Sequence, residues 1–466
     1  MPRVVMVPTA RPTFRTDVAA ERAAAARALV ERLGADVSGP RELVMTPQDA
    51  GAAKAYLDPS ADLFVHVCAS FSDATPALRL YEGLGRPVLL WAFEEPGPVG
   101  DRLWLNSLCG ANLFGHALVR AGGEASLLYG DPSQPEVADA LAKALHGTLP
   151  RVPAPALREG ERAAPGDVNG RLAELRGTRI GLLGDAPDGF TPSSYDAVLL
   201  QRLFGVTVEA LPVADFLDQV RQVDPADATA ERDRALRAQP SVAALDHGEV
   251  SLSAGITTAL GGWATGSALA AMAVRCWPEF PAELGACPCA SLSRLADLGT
   301  PTACERDVYG AMTMLLIQAL GGGMTYLVDT VEADPVENVV RFWHCGSAAT
   351  ALAADPDHAT QDVHCNRRLG VAGNFALRTG PVIVARLTED PAAGGLRLLL
   401  TAGESLPEPN RFQGNTAAVR LDTPVLPVVH HLVTGGFPHH TVLGFTDVRP
   451  QLRTAADLLG IPVVDW

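Results

Sequence analysis

At 466 residues, 47% hydrophobic and 19% charged, the chain has the make-up of a globular protein with room for about two to four domains, which excludes a disordered or fibrous one. A formal net charge of −16 speaks against nucleic acid or an anionic membrane surface as partner, because either needs a basic face to displace counterions. A small neutral or cationic ligand suits this balance better.

The N-terminus, M-P-R-V-V-M-V-P, passes directly into a strand-like run with neither the basic flank nor the long apolar stretch of a signal peptide, so a cytoplasmic protein is expected. Residues 4–7, 43–45, 63–68 and 88–91 read as short buried strands. They are separated by helical patterns such as 19–33, which ends at Gly34. Such alternation over residues 1–150 predicts a doubly wound, Rossmann-like α/β domain. Ligands of such sheets lie beyond the carboxyl ends of the strands. The loops holding Arg11 and Phe14, residues 70–73 and residues 93–96 are therefore the expected ligand edge, and a solvated Arg11 is the competing reading.

Residues 148–168 are rich in proline and charge without a hydrophobic period, and read as a linker. A second Rossmann-like α/β domain over 151–322 opens with Arg179-Ile-Gly-Leu-Leu-Gly, continues with a strand at 206–211 and a charged helix at 214–237. Gly181 and Gly184 do not complete G-x-G-x-x-G, and G-x-x-x-x-G-K-[ST] does not occur, so nucleotide binding is unsupported. Two uncharged stretches, 251–274 and 308–328, approach bilayer length. The first is too rich in Ala, Gly, Ser and Thr for insertion, and the second carries Gln318 and the break Gly321-Gly322-Gly323; buried helices are expected, and no membrane partner. Arg275-Cys-Trp-Pro-Glu-Phe is read as the end of the long small-residue helix, with Trp277 and Glu279 facing either a ligand or the core. The eight cysteines include no C-x-x-C pair, and Cys287-Pro-Cys289 has the wrong spacing for zinc, so reduced, buried thiols are expected.

The stretch from Thr302 to Cys345 carries the chemistry. Glu305 precedes a helical pattern that ends at Gly321, and a short β-prone run, 324–328, delivers Asp329. Elements joined by so short a link pack side by side, which brings two carboxylates to one cavity, where unpaired burial is costly without a cation. His344 could join them. A bland alternative stands beside this: Thr302 and Glu305 fit a capping box, and Asp329 fits a turn. From residue 370 the pattern changes to short β runs at 382–387, 396–400, 417–421 and 425–429, predicting a β-rich, barrel-like C-terminal domain over 323–466. Within it His439 and His440 occupy a glycine-flanked turn, and a loop histidine alongside two carboxylates points to a metal site.

These motifs, C-E-R-D-V-Y-G, G-G-G-M-T-Y-L-V-D, W-H-C-G and G-G-F-P-H-H-T, resemble those of the metal-dependent L-fucose isomerase and L-arabinose isomerase superfamily. R-P-T-F, N-S-L-C-G (from Asn106) and C-W-P-E-F extend the likeness along the chain in order. The resemblance implies an aldose–ketose isomerase closer to the L-fucose type, with Mn2+ (or Mg2+ or Co2+) held by Glu305, Asp329 and His440. It also implies a homo-oligomer, hexameric or trimeric. Arg11 is the substrate contact it places; Trp277 is a further candidate, and His344 is either that or a fourth ligand. Such an enzyme moves a proton between C1 and C2 while a divalent ion stabilises the cis-enediolate, with Glu305 and Asp329 as the acid–base pair. A metal-dependent aldolase or lyase, or a sugar-binding homologue without turnover, is the alternative.

Overall fold

The computed structural model describes residues 1–466. Its first sheet holds β1 (Arg3–Thr9), β2 (Asp36–Ser38), β3 (Leu63–Cys68), β4 (Val88–Ala92) and β5 (Ala125–Tyr129), all parallel in the order β2-β1-β3-β4-β5. β3 and β4 are buried along their whole length, as strands covered by helices on both faces must be. The chain winds outward in both directions from the β1/β3 boundary, which makes that boundary the switch point where doubly wound sheets bind ligands. There the two following loops touch, the Arg11 N–H donating to Ser70 Oγ at 3.1 Å. The strand expected at 43–45 shrinks to a single bridge between Val44 and Thr9. Thr46 already caps the next helix, Pro47–Ala53, in a box with Asp49, so the extended run has no room to continue.

The expected linker is only half irregular. Its first part lies along the C-terminal region, with the Arg158 N–H on Asp465 O, and its end becomes the helix Pro165–Leu175. The second sheet follows: β6 (Arg179–Leu183), β7 (Thr207–Leu211), β8 (Leu269–Val274) and β9 (Thr302–Ala303), parallel in the order β7-β6-β8-β9. The single helix expected at 214–237 is two, Val213–Arg221 and Pro225–Ala238. Pro225 has no N–H to give to a helix interior, and Asp224 caps the restart by accepting from the Ala226 N–H. The stretch 251–274 also divides, into the helix His247–Gly266 and β8. Ala268, at φ +50°, turns the chain, and pairing between β6 and β9 overrides the helix preference of Leu269-Ala-Ala-Met-Ala. Arg275-Cys-Trp-Pro-Glu-Phe therefore follows a strand, not a helix, which puts Trp277 at the carboxyl edge of the sheet. No helix is long and apolar enough to cross a membrane.

The third sheet is a barrel. β10 (Thr325–Asp334) and β11 (Val339–His344) form a hairpin, two short strands β12 (Gln361–Asp362) and β13 (Ala372–Gly373) pair beside it, and β14 (Phe375–Ala376) leads to β15 (Gly380–Glu389), β16 (Leu396–Leu406), β17 (Asn415–Leu421), β18 (His440–Gly444) and β19 (Val463–Asp465). The antiparallel order β17-β11-β10-β18-β15-β16 closes because β16 also pairs with β17. β14 and β19 lie parallel outside the closure. The β run expected at 425–429 is instead the start of a helix, Val425–Thr434. Buried Val425, Val428, Val429, Leu432 and Val433 fall at helical spacing behind Pro424, so the stripe outweighs the β-branched composition. This helix packs on Ser107–Arg120 so closely that a Cβ added at Gly115 would lie 2.3 Å from Val433 O, which ties the first sheet to the barrel.

Candidate active site

The helix that follows β9 is Val308–Ile317, buried at every position, and its cap is Asp307, which accepts from the Gly310 N–H at 2.8 Å. Thr302 Oγ1 donates instead to Leu292 O, so the capping-box reading of Thr302 and Glu305 does not hold. Glu305 and Arg306 lie between strand and helix at φ +57° and +61°, a conformation that costs non-glycine residues about 1–3 kcal/mol each. Hydrogen bonds impose it: Ser193 Oγ donates to Glu305 O at 2.7 Å, and the Arg306 guanidinium donates to Gly184 O at 2.7 Å and Ser193 O at 3.0 Å. The consequence is a Glu305 carboxylate turned toward the barrel.

Asp329 lies in the middle of β10 rather than at a strand end, and directly opposite it across the antiparallel ladder is His440, the first residue of β18 rather than part of a turn. Glu305 Oε2 is 3.3 Å from His440 Nε2, and Asp329 Oδ1 is 3.6 Å from the same nitrogen. Neither Asp329 Oδ1 nor His440 Nε2 has a hydrogen-bond partner, although both are buried. His439, also buried and with both ring nitrogens unpartnered, brings Nε2 within 3.6 Å of Glu305. Orphaned polar atoms in a closed cavity are costly unless something else satisfies them. Two carboxylates and imidazole at separations near the about 3 Å between adjacent donors on one small divalent ion meet that requirement. The donor chemistry thus fits a hard cation, with Glu305, His439 and His440, or Asp329, His344 and His440, each a possible triplet within 4.8 Å.

Behind His440 stands a residue that sequence reasoning missed. His440 Nδ1 is 2.9 Å from Asp307 Oδ2, and Asp307 in turn forms a fully buried ion pair with Arg386 of β15. A carboxylate behind a histidine fixes its tautomer and aims its other nitrogen, here Nε2 toward Glu305 and Asp329. Burial alone would raise the Asp307 pKa, but Arg386 and His440 hold it well below the usual carboxylate range. Burial likewise opposes charge on His440, yet Asp307 and Glu305 push its pKa up to about 9. Burial would raise Glu305 as well, and His439 and His440 instead keep it well below its ordinary value. Glu305 is therefore an anion at neutral pH. The signals for Asp307 were its place before an apolar helix and the arginine in Val-Ala-Arg-Leu-Thr, but nothing local joined it to His440.

Of the expected site residues, Glu305, Asp329, His344, Arg11 and Trp277 line one cavity, and His440 stands behind it with Nε2 against Glu305 and Asp329. Trp277 Nε1 donates toward Glu305 Oε1 at 3.2 Å, and Arg11 Cζ lies 4.4 Å from the Trp277 ring centroid. His344 Nδ1 accepts from the Cys345 N–H at 2.9 Å, and its ring is 5.5 Å from that of His440. Of the expected ligand edge, Phe14 and Phe71 reach the cavity and residues 93–96 do not. Buried Glu95 instead takes the N–H groups of Leu105 and Asn106, which holds Asn106 at φ +49° on the cavity wall. Arg367 and His364, neither singled out by sequence, complete the mouth. All eight cysteines are buried and free; Cys276, Cys287, Cys289 and Cys345 line the cavity, and Cys304 Sγ lies 3.0 Å from Cys276 Sγ.

No family model matches the chain. It is 32% identical to a sulfoquinovose isomerase of Alkalicoccus urumqiensis over 99% of each chain. It is 28% identical to the sulfoquinovose isomerase of Priestia megaterium (strain ATCC 12872 / QMB1551) over 98% of each, and to that of Clostridium sp. (strain MSTE9) over 98% of this chain and 97% of that one.

Proposed function

The chain belongs to the sulfoquinovose isomerase family, and from that premise we propose that it interconverts a sulfonated six-carbon aldose and its ketose with one bound divalent cation, Mn2+ foremost and Mg2+ or Co2+ as substitutes. The observation that carries the metal is the pair of orphaned buried atoms, Asp329 Oδ1 and His440 Nε2, facing Glu305. Glu305, Asp329 and His440 hold the cation, as the resemblance to the L-fucose isomerase superfamily implies. When bound, it supplies Lewis-acid polarisation of the sugar's carbonyl and adjacent hydroxyl oxygens. The homo-oligomeric, cytoplasmic character implied by the same resemblance belongs to this reading, and free buried thiols suit a reducing compartment.

The chain's own groups do the rest. Isomerisation removes a proton from one of C1 and C2 and returns it to the other, so it requires an unprotonated carboxylate on that face. Glu305, kept anionic and oriented through Oε1 by Trp277, meets the requirement, and Asp329 is its partner in the exchange. His440 is locked by Asp307 with Nε2 inward. The Cys345 N–H on His344 Nδ1 leaves the ring proton on Nε2, which supports His344 as a donor to a sugar oxygen over a fourth ligand. Phe14, Phe71 and Trp277 wall the cavity with apolar surface and limit water around the exchanging proton.

Incubation of aldoses of four to six carbons, with and without a C6 sulfonate, with enzyme and Mn2+ in D2O tests the reading. Ketose formation with deuterium at C1 or C2 is expected. Carbon–carbon cleavage products would make the protein a lyase, and binding without exchange a sugar-binding homologue. The metal assignment has its own readout: His440→Ala should remove the rise in melting temperature that Mn2+ gives the wild type, since a ligand of the native state stabilises by mass action. His344→Ala should keep that rise. Equal Mn2+ responses in His440→Ala and wild type would sink the ligand set.

A further inference from the structure

The net charge of −16 describes the whole surface, and the cavity mouth departs from it. Arg11, in the loop after β1, and Arg367, in the turn between β12 and β13, both reach the Trp277 ring, with Cζ atoms 4.4 and 5.9 Å from its centroid, and lie near enough for the charge of Arg367 to act on Arg11. Neither guanidinium takes part in an ion pair or a side-chain hydrogen bond. Other arginines near the site have their donors taken up: Arg275 by Glu279, Arg341 by Glu332 and Glu408, Arg386 by Asp307, and Arg306 by Gly184 O and Ser193 O. Burial lowers the Arg11 pKa and Arg367 adds to the lowering, while Asp73 and Glu305 oppose it. Two like charges brought together, partly desolvated and left with unused donor forks, make a site for an anion.

The turn that presents Arg367 is built rather than loose. His364 Nδ1 accepts from the backbone N–H groups of Asn366 and Arg367 at 3.1 and 3.2 Å, and the Arg368 N–H closes the turn on His364 O. Trp277 gives the distance from this pair to the reacting end, because its Nε1 edge meets Glu305 while its ring face meets the arginines. One indole separates the two ends, a span of the order of the length of a six-carbon chain.

We propose that Arg11 and Arg367 form an anion clamp for the C6 sulfonate, with the sugar laid along Trp277 so that C1 and C2 reach Glu305 and Asp329. The inference rests on the functional reading above and adds to it the residues that set specificity. Planar guanidinium forks suit a tetrahedral XO3 group, which a sulfonate and a phosphate monoester share, and the family relationship favours the sulfonate.

The test compares wild type, Arg11→Met, Arg367→Met and the charge-keeping Arg11→Lys and Arg367→Lys on sulfoquinovose, glucose 6-phosphate and glucose. The Met variants should lose about a hundredfold in kcat/KM on sulfoquinovose, mainly through KM, the scale for removing one partner of a desolvated charge contact. Their losses on glucose should be clearly smaller than on sulfoquinovose, and the Lys variants should fall between. Ethanesulfonate should raise the melting temperature of wild type and not of the Met variants, a readout that needs no turnover. Equal losses on sulfonated and neutral sugar, or an unchanged ethanesulfonate response, would overturn the clamp while leaving the isomerase standing. Faster turnover of glucose 6-phosphate than sulfoquinovose by wild type would overturn the sulfonate assignment. Absence of isomerisation with any sugar would overturn the functional reading, and the ethanesulfonate response would then decide the clamp by itself.

Discussion

Glu305→Gln and Asp329→Asn are each expected to lower turnover by about a hundredfold or more, the usual scale for loss of a positioned acid or base. Both changes keep size and most hydrogen bonding, so Trp277 can still donate to residue 305 and the β10–β18 ladder is untouched. What they remove is the charge, and with it both the proton acceptor and part of the cation's attraction. Measuring bound Mn2+ in each variant separates these two effects. A variant that retains metal and binds sugar but turns over slowly has lost the proton carrier, whereas one that loses metal reports ligation. Glu305 and Asp329 face a common histidine nitrogen, so the order of proton transfer is not assigned to either alone. Near wild-type rates in both variants with metal bound would remove the two acids from the mechanism.

Asp307→Ala is expected to cost about 3–5 kcal/mol of stability, because it strands Arg386, 1% exposed, without a counter-charge. It also frees His440 Nδ1, so activity should fall even where the variant folds. Urea unfolding measures the first effect, and Mn2+ affinity the second. Joint replacement, Asp307→Leu with Arg386→Met, should recover most of the stability and none of the metal affinity, which distinguishes support of His440 from simple packing. The pH dependence follows from the sign of the shift. Asp307 has a folded pKa below its unfolded value, so its stabilisation is present above about pH 4 and is lost as pH falls through the folded value. Wild type and Asp307→Ala should therefore converge in stability in acid. A variant within 1 kcal/mol of wild type at neutral pH would show that the buried pair contributes little.

Much of the architecture was legible from local pattern. Alternating strand and helix signals in the first two thirds, and short turn-bounded runs thereafter, correspond to two parallel sheets and a closed barrel. The spacing of Glu305, the triple glycine and Asp329 led to one cavity because a helix, a sharp turn and a strand in succession must lie side by side. Where pattern reading failed, composition and environment conflicted. Val425–Thr434 is β-branched yet helical because its apolar spacing suits a helix packed on Ser107–Arg120. Leu269–Val274 is rich in helix formers yet extended because β6 and β9 offer it ladder partners on both sides.

Sequence by itself determined which chemistry is present: two acids on linked elements, a paired histidine late in the chain, and thiols without metal spacing. Tertiary structure decided which atoms are aimed and which are spent. Asp307, which drew no reading from sequence, is occupied by Arg386 and His440, while Glu305 is turned inward by a left-handed backbone that Ser193 and Gly184 stabilise from another part of the chain. Arg11 and Arg367 meet over Trp277 from loops on different sheets. Periodicity and spacing report the backbone's local preferences, whereas the direction of a carboxylate and the pairing of a buried charge depend on neighbours brought from far along the chain, because unpaired polar groups are tolerated in a core only where the fold or a ligand satisfies them.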